Sequence, residues 1–140
     1  MLRKLLLLCG LMILGCGSST QSYSVMVKND GMEPMTVWLT KDGPPAEVNW
    51  LSPEQIAVSG KVKDSPISGV VIPPGKTGDL GPIEGRFDSR SSAVLRIYRG
   101  QKLFDEMLAM SRGSPNRTDL KLSPGANIIV IDKSGSANKK

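Results

Sequence analysis

Histidine is absent from this 140-residue chain, and only two cysteines occur. Without histidine there is no Ser-His-Asp triad and no histidine-ligated zinc. Cys9 lies inside an apolar N-terminal run and Cys16 stands just beyond it, so no cysteine remains after residue 16 to form a disulfide. Stability must come from packing. Aromatic residues make up 4% of the chain, whereas Gly and Pro number 15 and 10. That density of helix breakers disfavours long helices and suits short strands joined by tight turns. A spanning hydrophobic run is also missing. The one continuous apolar stretch, from Leu5 to Leu14 and interrupted only by Gly10, falls short of the ~20 residues that cross a bilayer.

The formal charge is +5, from 18 bases and 13 acids. Setting aside Arg3 and Lys4 leaves 16 bases against 13 acids beyond residue 15, or +3, an ordinary solubility margin. Arg86, Arg90, Arg96, Arg99, Lys102, Arg112 and Arg117 lean towards one half of the chain but are interrupted by Asp88, Asp105 and Glu106. They read as solvated strand edges and loops. A nucleic-acid binder would instead interleave a basic stripe with aromatics.

Met1 to Lys4 form a short positive segment, Leu5 to Leu14 an apolar one, and Ile13-Leu14-Gly15-Cys16 follows. This order resembles the export signal and lipobox of bacterial lipoproteins: an aliphatic residue, a tolerant position, a small residue, then cysteine. Leu14 is bulkier than the usual occupant of its position. The resemblance covers residues 1–16. It implies a signal peptide over 1–15, cleavage before Cys16, a diacylglycerol on the Cys16 thiol and a further acyl chain on the new amino group. Two or three chains give a lasting anchor where one gives a marginal one. The expected location is the cell membrane or outer membrane, facing the periplasm or the exterior. Residue 17 is glycine, not the aspartate associated with inner-membrane retention. Residues 16–21 read as the lipidated cysteine and a small polar tether.

Beyond the tether, residues 22–133 read as one β domain. Tyr23, Val25 and Val27 alternate with Ser24, Met26 and Lys28, and Asn29-Asp30-Gly31 makes a turn. Met35, Val37 and Leu39 alternate with Thr36, Trp38 and Thr40, until Gly43-Pro44-Pro45 stops the strand. Ser52-Pro53-Glu54-Gln55 carries a capping-box signature, which predicts a short helix ending near Gly60. Lys61 to Ser65 reads as exposed loop. Strand signals resume at Val70 to Ile72, at Lys76 to Leu80, at Ala93 to Tyr98, at Leu120 to Leu122 and at Ile128 to Ile131. The segment Phe104 to Met110 fits helix or strand. The turns at Pro74-Gly75 and Pro124-Gly125 sit between apolar strands in a similar way. Residues 134–140 are small, polar and basic, and read as a disordered tail. Seven or eight short strands with one short helix predict an all-β, antiparallel β-sandwich, Ig-like or prealbumin-like.

Val27, Asn29, Val37-Trp38-Leu39, Asp42-Gly43, Pro45 and Pro73-Pro74-Gly75 resemble the β domain of the von Hippel–Lindau protein. The likeness spans about a third of the chain, with a long insertion between Pro45 and Pro73. It implies a prealbumin-like sandwich. That family's hydroxyproline-peptide site uses a histidine, so the activity does not carry over.

Motif chemistry is thin. Gly69 to Thr77 superficially resembles a phosphate-binding loop, but the first glycine is misplaced and two prolines remove donors, which leaves a hairpin turn. No nucleotide is expected. Ser136 and Lys139 have serine–lysine spacing but lie in the tail. Asp105 and Glu106, if on a strand, point to opposite faces and do not converge. Met32 and Met35, and Met107 and Met110, have the flavour of thioether copper sites, yet i and i+3 split across a strand and core packing is the simpler use. Asn116-Arg117-Thr118 reads as a turn.

Trp38 has the opposite parity to Met35, Val37 and Leu39. Either the Trp50 segment folds over the sheet and covers it, or it lies exposed. In the second case Trp38, Lys41, Asp42 and Trp50 form a candidate partner surface around a proline-rich loop. The expected function is a lipid-anchored, non-catalytic binding or structural module of the cell envelope, with an envelope protein as candidate partner. The alternatives are an exported enzyme or accessory domain acting on cell-wall or sugar polymers, and copper binding through methionines. No cofactor, metal or nucleic acid is expected.

Overall fold

The computed structural model describes residues 17–60 and 69–140. Cys16, the lipobox and the loop expected at 61–65 lie outside the described residues. Among the described residues, eight strands pack as two four-stranded sheets, the predicted all-β sandwich. Strands β1 (Ser19–Asn29), β4 (Thr77–Phe87), β7 (Gly125–Ile131) and β8 (Ala137–Lys139) form one sheet in the order β4-β1-β7-β8. Strands β2 (Met35–Asp42), β3 (Gly69–Ile72), β5 (Ser92–Arg99) and β6 (Arg117–Lys121) form the other, in the order β3-β2-β5-β6.

The alternation predicted from sequence sets the core. Val25, Val27, Val37, Leu39, Leu95, Ile129 and Ile131 are all buried between the sheets. At one end of this core Trp50 meets Tyr23 and Phe87 edge to face while those two rings are tilted to each other, with ring centroids 4.8–5.6 Å apart.

One pairing departs from the antiparallel expectation: β1 and β7 run parallel, Tyr23 opposite Gly125 through Asn29 opposite Ile131. The reason lies in the Pro-Gly turns. Neither closes a hairpin. Pro73-Pro74-Gly75 carries the chain from β3 in one sheet to β4 in the other, and Ser123-Pro124 does the same between β6 and β7. A strand that enters by crossing between sheets is free to run alongside a neighbour in the same direction. The first crossing is pinned by Asn29, whose side-chain amide donates to the carbonyls of Ile72 and Glu33 at 3.0 and 2.9 Å.

Two boundaries also shift. Residues 19–21, expected as tether, are already in β1, opposite Phe87, Arg86 and Gly85. The tail expected to be disordered turns back instead. The Asp132 carboxylate accepts the backbone N–H groups of Ser134 and Ser136, Gly135 adopts φ +82°, and Ala137–Lys139 pairs with β7. A free sheet edge rewards any extended segment that reaches it, polar or not.

Two short helices lie on the outer face of the second sheet. Helix α1 (Pro53–Ser59) has the predicted capping box: Ser52 Oγ accepts from Gln55 N, Gln55 Oε1 accepts from Ser52 N, and Gly60 closes the helix at φ +69°. Helix α2 (Phe104–Leu108) resolves the ambiguous segment as helical. Together they bury a second cluster of Trp38, Ile56, Tyr98 and Met107, with Leu51, Phe104 and Met110 at its edge. The six aromatic residues thus divide evenly between the inner core and this outer one.

Candidate functional site

The helices cover only part of the outer face. Inward Ala93, Leu95 and Ile97 leave Val94, Arg96 and Tyr98 pointing outward, and the register places Asp119 opposite Arg96 and Arg117 opposite Tyr98. Helix α1 brings Glu54 to this row, and the chain after α2 brings Arg112. Between them lies an open groove of about 610 Å³. A smaller depression of about 360 Å³ shares Asp42 and Arg112 with it and reaches Ser92 and Lys121.

The groove is built from ion pairs. Arg96 Nη1 donates to Glu54 Oε2 at 2.7 Å, and this side chain is only 9% exposed. Arg117 clasps Asp119 with two bonds of 2.9 Å, and its Nη1 donates to the Met110 carbonyl at 3.0 Å. Arg112 bridges Asp42 at 2.5 Å and Asp119 at 3.2 Å. Burial, the largest single influence, pushes the Glu54 and Asp119 carboxyls up, but hydrogen bonds and the charges of Arg96 and Arg117 together outweigh it and hold both below the usual carboxylate range. One donor is left over. Arg96 Nε is buried and has no hydrogen-bond partner among the described residues. Native proteins leave few such atoms unpaired.

Arg96 and Arg117 correct the expectation that these bases are solvated, because both are buried and neutralised. The partner surface proposed from sequence is corrected as well. Trp38 and Trp50 are 3% and 1% exposed. Their indole N–H groups are spent on internal carbonyls, Trp38 on Leu51 at 3.0 Å and Trp50 on Glu84 at 2.9 Å. The chain after Trp50 does fold over Trp38, as Leu51 and α1, while Trp50 itself turns into the inner core. A glycine faces each indole: a Cβ at Gly69 would stand 2.7 Å from Trp38 Cε3, and one at Gly85 3.0 Å from Trp50 Cε2. Lys41 is buried too. Its ammonium pairs with Glu47, donates to the Arg86 carbonyl at 3.0 Å and sits 5.0 Å from the Phe87 ring centre. Only Asp42 of the four faces the groove with solvent access, through its pair with Arg112.

The remaining candidates separate. Met32 is 84% exposed and Met35 fully buried, so that pair cannot share a ligand. Met107, in α2, and Met110, two residues past its end, pack in the same apolar cluster. Lys139 Nζ donates to Ser123 Oγ, away from Ser136. Glu106, in α2, caps its own helix by accepting from Leu103 N at 2.7 Å.

Sequence reasoning missed Arg96, Glu54, Arg112, Arg117 and Asp119. A signal for Arg96 existed: it shares the outward row with Tyr98, on a face where Trp38 already demanded a cover. Asp119 and Arg112 meet only through the register of β6, which no local pattern reveals. Comparison with protein-family models, with curated proteins and with solved structures finds no match to this chain.

Proposed function

We propose that this chain is a lipid-anchored lipoprotein of the bacterial envelope whose sandwich is a non-catalytic binding module, with the groove on the outer sheet face as its binding site. The anchor reading rests on the order of charged segment, apolar segment and Ile13-Leu14-Gly15-Cys16. The binding reading rests on one observation: Arg96 Nε is a buried donor with no partner among the described residues, at a groove open to solvent. A ligand acceptor that reaches it through a shift of the Arg96 guanidinium satisfies it.

Four bases line the groove, Lys41, Arg96, Arg112 and Arg117, against Asp42 and Glu54, but each base is paired: Lys41 with Glu47, Arg96 with Glu54, Arg112 with Asp42 and Arg117 with Asp119 just outside the lining. Such a balance does not select a polyanion. It suits a ligand that presents carbonyls and N–H groups in turn, which is an extended polypeptide segment of an envelope protein. Glycosidase-type chemistry needs one carboxyl kept protonated. Glu54 and Asp119 are held the other way.

The test places a photo-crosslinking residue at Ser111, exposed on the groove wall, and at Val58, 91% exposed on α1 outside it. In native membranes Ser111 gives one discrete polypeptide adduct and Val58 does not. Arg96→Lys, which keeps the charge facing Glu54 but lacks the Nε donor, abolishes the adduct. Equal labelling at both positions, or an adduct indifferent to Arg96→Lys, overturns the site.

A further inference from the structure

The tether expected between lipid and domain is largely absent, because β1 has begun by Ser19. Gly17 follows Cys16 directly and already lines a depression of about 370 Å³, together with Ser19, Ser89, Lys121 and Pro124. Consecutive Cα atoms lie ~3.8 Å apart. A lipid on Cys16, one residue before Gly17, would leave the domain little slack between this end of the sandwich and the bilayer.

That end is formed by the start of β1, the β4–β5 turn around Asp88 to Ser91, and the β6–β7 crossing at Leu122 to Pro124. Its most exposed charged side chains are basic. The Arg86 and Arg90 side chains are 59% and 71% exposed, and Lys121 is exposed. Both arginines have an acid behind them: Asp88, 8% exposed, accepts from Arg90 N at 2.7 Å and pairs with its guanidinium at 2.9 Å, and Glu47, 23% exposed, pairs with Lys41 and lies 3.7 Å from the Arg86 guanidinium, so the acids sit inside and the basic groups outside. Glu84, an exposed acid, stands two residue pairs further from the end on the same strand face as Arg86, and Asp42, opposite Ser92, is partly exposed and pairs with Arg112.

We propose that this end of the sandwich docks on the membrane itself, with Arg86, Arg90 and Lys121 on anionic lipid headgroups. The proposal rests on the lipoprotein reading of Cys16. Given the anchor, docking is intramolecular, so a few cations suffice where free association would require many. Each basic residue near an anionic surface strengthens contact by roughly fivefold. A docked end also fixes the orientation of the groove, because Lys121 and Ser92 line its lower depression.

The test uses the mature protein purified with its lipid from membranes. It is reconstituted into vesicles of phosphatidylcholine alone and into vesicles that also contain phosphatidylglycerol. Amide hydrogen exchange is followed at 86–92 and 121–124, and intact mass reports the acyl chains. Exchange there slows at least tenfold in the anionic vesicles only, and the Arg86→Gln/Arg90→Gln/Lys121→Gln variant loses the effect without a change in melting temperature. Protection equal in both vesicles, or in neither, with acyl chains present, overturns the docking and leaves the anchor standing. A mass without acyl chains overturns the anchor reading and this inference with it.

Discussion

Arg96 Nη1 donates to Glu54 Oε2 at 2.7 Å, while Nε of the same guanidinium, equally enclosed, donates to nothing among the described residues. The pair ties helix α1 to the centre of the outer sheet and leaves one buried donor of a groove-lining residue without a partner among the described residues. Glu54→Gln keeps the shape but removes the charge that neutralises Arg96. It is expected to cost about 1–3 kcal/mol, the worth of a hydrogen bond to a charged group. Urea unfolding checks this, and an unchanged midpoint contradicts a structural role for the pair.

The tryptophans give the sharpest packing test. Trp50→Ala removes the centre of the Tyr23–Trp50–Phe87 cluster and is expected to cost about 3–5 kcal/mol. Gly85→Ala introduces a methyl against the same indole and is expected to cost about 1–3 kcal/mol by overpacking. Thermal unfolding separates these outcomes from those of a surface tryptophan, whose removal would leave stability nearly unchanged.

The architecture was largely legible from sequence. Period-two alternation located most strands, and Ser52-Pro53-Glu54-Gln55 located α1 with its cap. Both signals are local. The parallel β1–β7 pair was not legible, because it depends on which sheet a strand joins after Ser123-Pro124, and a Pro-Gly turn reads alike in a hairpin and in a crossing. The charged groove was hidden for a related reason. Arg96 meets Glu54 across 42 residues, and Arg112 meets Asp42 across 70, so neither pair leaves a spacing to recognise. The site expected at Trp38, Lys41 and Trp50 failed because parity says which face a side chain takes, not what later covers that face.

Acid sensitivity follows from the carboxylates. Burial raises the Glu47, Glu54 and Asp119 carboxyls, but Lys41, Arg96 and Arg117 respectively pull each of them below its ordinary 4.5, 4.5 or 3.8. A carboxyl depressed in the folded state contributes stability that is fully present above its unfolded pKa and is lost as pH falls through its folded one. Stability should therefore decline from about pH 5 downward. With no histidine in the chain, it should stay flat from about pH 6 to 8. A melting-temperature series against pH checks both limbs.

The C-terminal strand is a further test. Truncation after Lys133 removes β8 and bares the β7 edge, including the bond from Lys140 N to the Ile128 carbonyl at 2.9 Å. Melting temperature should fall by several degrees, since about 1 kcal/mol moves it by ~4–8 °C in a domain of this size. An unchanged value would return residues 134–140 to the role of a loose tail.

The central claim, an envelope module held by lipid on Cys16, is tested most directly by intact-mass analysis of the protein extracted from native membranes. The account predicts a chain that begins at Cys16, carries two or three acyl chains, and moves to the soluble fraction as the Cys16→Ser variant. A chain that keeps Met1, or one that begins elsewhere with Cys16 as a free thiol, would contradict it.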